Sequence, residues 1–246
     1  MRNHPLTWLM IVLNLAVFLL VFSMPEALRD TTFDAYSFSR GTALEAWRWL
    51  TAMFLQVSAS HLFFNMLGLY FFGKHLEEET SKGWWLAIYF ISGILGSFAF
   101  LLTSPEPVVG ASGAVFGVMG AVMLLNPTRM IHLYVFPLPI GIVAVIFIVV
   151  ETMVAVYKTA FQQLGNVATV AHIAGIATGA IFAFFYKPKR SLQGVFVLAL
   201  SLALLAVLGP AFALIAEIGS IALQVIDAVV GFFLYNIAGL LGFLWA

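Results

Sequence analysis

Runs of about twenty mostly apolar residues recur along this 246-residue chain, and they constrain its fold more than any other feature. A helix needs about 20 such residues to cross the hydrocarbon core of a bilayer. On that measure spans are expected near residues 6–24, 51–73, 84–104, 109–126, 131–157 and 167–186. Two further stretches, near 191–216 and 219–246, follow the Lys187-Pro188-Lys189-Arg190 cluster, with Gly209-Pro210 expected to break the first of them. The predicted fold class is all-α: a polytopic transmembrane helix bundle, with residues 1–190 as a six-helix core and 191–246 as one or two additional C-terminal helices. The first stretch, Leu6 to Met24, lacks a small-x-small cleavage site and reads as a transmembrane helix rather than a signal peptide.

Composition agrees. Hydrophobic residues make up 63% and charged residues 9% of the chain, against roughly 25% charged in a soluble domain. The formal net charge is zero and no basic-aromatic array is present, so nothing points to nucleic acid. Without cysteine, the chain has no disulfide, thiolate or Cys-based metal chemistry. His4, His75 and His132 lie near span ends without metal-ligand spacing and read as interfacial, so neither metal nor cofactor is expected.

Basic residues set the orientation. An N-terminus inside puts Arg2, Lys74, Lys82, Arg129, Lys187, Lys189 and Arg190 on the inner side, against Arg29, Arg40, Arg48 and Lys158 outside. The long loop at 25–50 carries Phe33, Tyr36, Phe38, Trp47 and Trp49, which suit the outer interface. An ordinary folded surface loop is the alternative.

Two polar residues stand out in this setting. Gly110-Ala111-Ser112-Gly113 places a serine between glycines, and Ala171-His172-Ile173-Ala174-Gly175 places a histidine in equally apolar surroundings. Polar groups are costly in hydrocarbon and call for a reason; a serine nucleophile with its histidine base supplies one. Both spans run from outside to inside, and a 1.5 Å rise puts Ser112 about 5 Å and His172 about 8 Å below their outer ends. His172, Gly175 and Gly179 share a helix face, while Gly113, Gly117 and Gly120 follow Ser112. Small-xxx-small faces let membrane helices approach closely, which would bring Ser112 toward His172. Helix packing alone also accounts for these glycines; a serine and a histidine at matching height are what favour chemistry.

His61 and Asn65, at i, i+4, form a second polar pair. Taken alone it reads as a cross-link between helices. Acyl transfer gives it another use, since the tetrahedral intermediate needs donors aimed at its oxyanion. The imidazole, the carboxamide and the Ser112 backbone N–H would supply them.

These residues resemble the rhomboid intramembrane serine proteases, over about Trp47 to Gly179. The matching pieces are Trp47-Arg48, His61-x-x-x-Asn65, Gly110-Ala111-Ser112-Gly113 and Ala171-His172-x-x-Gly175-x-x-x-Gly179. The resemblance implies a six-helix rhomboid-like core, Ser112 as nucleophile, His172 as general base, and His61 and Asn65 as oxyanion donors. It makes Trp47-Arg48 a structural loop motif and implies a small residue before the cut. Three positions depart from the family pattern: Gln56 replaces a frequent histidine, Phe116 a frequent tyrosine, and Ser81 a glycine expected four residues after Glu77.

The expected activity is therefore hydrolysis of peptide bonds in or near transmembrane segments by a Ser-His dyad, no acid being placed to orient His172. Partners would be transmembrane protein substrates and the lipid bilayer, in a prokaryotic cell membrane with the N-terminus cytoplasmic. The active site would be a water-filled cavity open to the outer side, with Asp30 and Asp34 near its mouth. Two other readings stand beside this one: an inactive rhomboid-like binding or quality-control protein, and a transporter that uses an intramembrane acid such as Asp227. Asp227 and Glu217 are otherwise expected to snorkel or pack.

Overall fold

A computed structural model describes residues 3–133, 136–149 and 169–241. It is a helical bundle. Its helices are α1 (Pro5–Phe22), α2 (Glu26–Tyr36), α3 (Arg48–Thr51), α4 (Ala59–Gly68), α5 (Lys74–Glu79), α6 (Lys82–Thr103), α7 (Ser112–Leu125), α8 (Ile140–Val149), α9 (Thr169–Tyr186) and α10 (Pro188–Leu241). Among the described residues, α1, α6 and α9 are long and apolar enough to cross a membrane.

The second expected span is broken. The chain bends by 99° between Arg48–Phe54 and Ala59–Glu79, because Leu55 is extended and Ser58 starts a new helix by accepting the His61 N–H. A π-helical turn, Leu69–Gly73, joins α4 to α5. The fifth expected span does not begin at residue 131. Met130–Leu133 (β1) and Phe136–Pro139 (β2) form an antiparallel pair there, with Ile131 opposite Leu138. Pro137 and Pro139 have no N–H to give a helix, so the helix starts only at Ile140. The remainder of that expected span, with Lys158, lies outside the described residues.

The expected break at Gly209-Pro210 is absent: α10 continues from Pro188 to Leu241 as one helix. Membrane helices tolerate such residues where neighbouring groups re-satisfy the backbone. Nor does Asp227 snorkel. Its carboxylate accepts hydrogen bonds from Ser60 in α4.

At the centre stands α7. Every one of its residues from Ser112 to Leu125 is buried. Its 14 residues span only about 21 Å; enclosed by other helices, it has no need to reach both lipid interfaces. It packs most extensively on α9 and α6. A Cβ on Gly175 or on Gly179 would collide with the carbonyl oxygens of Gly113 and Gly117 respectively. The two helices are thus in backbone contact, as the small-residue faces lead one to expect.

Three successive glutamates tie one end of the bundle. Glu77 accepts from the Leu6 N–H (2.9 Å), the Thr7 N–H (3.0 Å) and the Thr7 hydroxyl (2.7 Å), which caps α1. Glu78 pairs with His4 and Arg129. Glu79 binds Asn126 at the end of α7 and Lys187 and Arg190 at the α9–α10 junction. At position 81, the serine that replaces the expected glycine caps α6 by accepting the Trp84 N–H.

Candidate active site

Ser112 is the first residue of α7 and is buried, at 6% exposure. The first N–H groups of a helix have no intrahelical partner, so the serine hydroxyl and a set of backbone donors share one end of α7. The turn that delivers them depends on Gly110, whose φ is +117°, a region L side chains rarely adopt. Its N–H is fixed by the Ala52 carbonyl at 2.8 Å.

Close approach adds a second demand at Gly110. A Cβ there would lie 2.5 Å from His61 Cε1 and 2.9 Å from His61 Nε2, so the imidazole rests on the glycine. His61 Nδ1 accepts the Val57 N–H at 3.4 Å. In a neutral imidazole the other nitrogen then carries the proton, which makes Nε2–H a donor beside the Ser112 turn.

Asn65, one turn beyond His61, belongs to a buried amide chain. Its Nδ2 donates to Gln56 Oε1 at 2.8 Å, Gln56 Nε2 donates to Asn14 Oδ1 at 2.9 Å, and Asn14 Nδ2 donates to the Met10 carbonyl at 2.9 Å. An amide nitrogen has two hydrogens, so this bond orients Asn65 without exhausting its capacity to donate. Gln56 thus fixes the orientation of the Asn65 carboxamide. Asn14 was missed by sequence reasoning, although a lone carboxamide in the span at 6–24 is the kind of intramembrane polar residue that marks a site.

His172 is buried in α9, at 8% exposure. Phe116, one turn after Ser112 and therefore on the same face, stacks on its ring with centroids 4.1 Å apart and planes 12° apart. That stack and the glycine contacts between α7 and α9 set His172 against the serine face of α7. Among the described residues, the ion pairs lie elsewhere, at the glutamate-tied end, within α2 and in the first loop, and none involves His172.

The first loop is a folded unit. Arg48 pairs with Glu45 at 2.7 Å, donates to the carbonyls of Asp34 and Ser37, and lies over the Trp47 ring at 4.7 Å. Trp47 in turn meets Tyr36 edge-on. Phe38, fully buried against Phe98, pairs with Val108 through backbone hydrogen bonds and so ties the loop to the segment entering Gly110. Trp47 and Arg48 thus hold the first loop together through Asp34, Tyr36, Ser37 and Glu45. Asp30 and Asp34 lie on α2 in this loop. Among the described residues no group of three or more His, Cys, Asp or Glu is arranged to hold a metal.

The Rhomboid domain family model matches residues 43–189. The chain is similar to the rhomboid protease GluP of Bacillus subtilis (strain 168), with 36% identity over 120 residues, 48% of this chain and 24% of that protein. It is also similar to the rhomboid protease GlpG of Yersinia pestis (strain Pestoides F), with 28% identity over 185 residues, 74% of this chain and 62% of that protein. The chain thus spans about a quarter of the first relative and about three-fifths of the second.

Proposed function

This chain belongs to the rhomboid family, and we propose that it is an intramembrane serine endopeptidase with Ser112 and His172 as its dyad. The observation that carries the reading is the company Ser112 keeps at the head of α7. His61 Nε2 lies over Gly110, two residues before it, and His172 is stacked on Phe116, one helical turn after it.

His172 takes the Ser112 proton as the serine oxygen attacks the scissile carbonyl. The oxyanion that forms is held by the Ser112 backbone N–H, His61 Nε2–H and an Asn65 Nδ2–H, each pre-set by the protein. Collapse of the tetrahedral intermediate breaks the C–N bond, with His172 returning its proton to the leaving amine. Water, deprotonated by the same imidazole, then hydrolyses the acyl-enzyme and restores Ser112. No cofactor takes part.

Partners are transmembrane segments of membrane proteins. An intact helix hides its carbonyls in i to i−4 hydrogen bonds, so segments with Gly, Pro or polar residues near their outer end are preferred, cut after a small residue. The end tied by Glu77, Glu78 and Glu79 gathers Arg129, Lys187 and Arg190 and faces the cytoplasm by the positive-inside rule. The site then opens to the outer side of a prokaryotic cell membrane.

The test is cleavage of a purified single-span substrate by reconstituted protein, with Ser112→Ala and His172→Ala as controls. Folded variants of both kinds should lose activity. Cleavage that survives Ser112→Ala would overturn the dyad, and failure of wild-type Ser112 to react with a fluorophosphonate would favour a non-catalytic binder.

A further inference from the structure

Asp227 is on α10, beyond the residues that the family model matches, yet it touches the turn that carries His61. Its Oδ1 accepts the Ser60 backbone N–H at 2.7 Å and its Oδ2 accepts the Ser60 hydroxyl at 2.8 Å. Ser60 is in the first turn of α4, where N–H groups lack intrahelical partners and negative charge is favoured. Leu223, one turn before the acid and on the same helix face, is buried and apolar, a setting in which a carboxylate is costly unless paired. Val230 packs against Phe18 and Leu62 and seats α10 beside this turn.

The directions of the neighbouring bonds follow from the carboxylate. It can only accept, so the single hydroxyl hydrogen of Ser60 goes to it. In the 3.0 Å contact between Ser58 and Ser60, Ser58 must then be the donor. Ser58 Oγ in turn accepts the His61 N–H at 3.1 Å. The result is a one-way relay from the His61 backbone through Ser58 and Ser60 to Asp227, each link polarised by the charge at its end.

We propose that Asp227 is a positioning residue for catalysis: it locks the first turn of α4 so that the His61 imidazole stays over Gly110. The proposal rests on the reading of His61 as an oxyanion donor. It gives the C-terminal helix a part in the chemistry of the core.

The experiment measures kcat and KM of the reconstituted full chain on a single-span substrate. The variants are Asp227→Ala, Asp227→Asn, Ser60→Ala, His61→Ala and the His61→Ala/Asp227→Ala double variant. Loss of an oxyanion donor outright lowers kcat by roughly a hundredfold; Asp227→Ala should lower it by roughly tenfold, a part of that effect, with KM unchanged. Asp227→Asn should recover part of the loss, because its carboxamide oxygen can still accept the Ser60 N–H. In the double variant the Asp227 change should add nothing to His61→Ala, since the group it positions is gone.

Wild-type kcat for folded Asp227→Ala, or an equal loss in the His61→Ala background, would overturn the positioning role alone. If Asp227→Ala does not fold, Ser60→Ala makes the same comparison, because it cuts the hydroxyl relay and keeps the backbone bond to Asp227. Wild-type kcat for His61→Ala would overturn the oxyanion reading and this proposal with it.

Discussion

Gly110 meets two demands that no other residue meets together: a φ of +117° and an imidazole where a Cβ would stand. Alanine there would strain the backbone by about 1–3 kcal/mol and push His61 off the Ser112 turn. Gly110→Ala should therefore lower the unfolding temperature and remove nearly all cleavage, as thermal unfolding and a substrate assay would show. Gln56 makes a different kind of contribution. It is buried, at 1% exposure, between Asn65 and Asn14. Gln56→Leu would leave both carboxamides with an unmet partner, at about 1–3 kcal/mol each. It should also lower kcat more than it raises KM, because the geometry lost belongs to the carboxamide proposed as an oxyanion donor; an unchanged kcat in a folded variant would refute that role.

Among the elements, α7 and α9 decide whether a site exists. Their backbones touch at Gly113–Gly175 and Gly117–Gly179, and this contact lets Phe116 lie flat on His172. A side chain at Gly179 meets a carbonyl oxygen rather than a movable side chain, so the helices can accommodate it only by separating. Gly179→Val should destabilise the protein by about 1–3 kcal/mol or more, as overpacking does. It should also slow the labelling of Ser112 by a fluorophosphonate, measured against wild type at a temperature where both are folded. The same contact explains why α7 can be so short: a helix enclosed by protein is set by its packing, while the lipid-facing α6 needs its 22 residues.

For the whole molecule, the opposite end from the site carries the ties. Glu77, Glu78 and Glu79 join the N-terminus of α1, the chain after α7 and the α9–α10 junction to α5. Glu77→Ala removes three hydrogen bonds from the first turn of α1, two of them from backbone N–H groups. It should cost on the order of 2–4 kcal/mol at about 1 kcal/mol or more per bond. The readout is thermal unfolding in detergent, with kcat at low temperature nearly unchanged because the serine end stays assembled. Asp227 ties the other end, where α10 grips the start of α4.

Several features were legible from residue order alone. Lipid leaves the backbone few options, so apolar length marked α1, α6 and α9 to within about two residues at each end. Glycine spacing marked the faces on which α7 and α9 meet, since a missing side chain is a local property that contact distance follows. Ser112, His172, His61 and Asn65 could be singled out because a polar group in an apolar run is conspicuous wherever the chain goes. The break before Ala59, the strand pair at Met130–Pro139 and the continuous α10 were not legible in this way. Each turns on local competition among proline geometry, capping and neighbouring contacts, which an average over twenty residues smooths away. The links from Gln56 to Asn14, 42 residues apart, and from Ser60 to Asp227, 167 residues apart, needed the folded chain. A side chain shows by its type that it needs a partner, but only the packing of helices decides which partner lies within 3 Å.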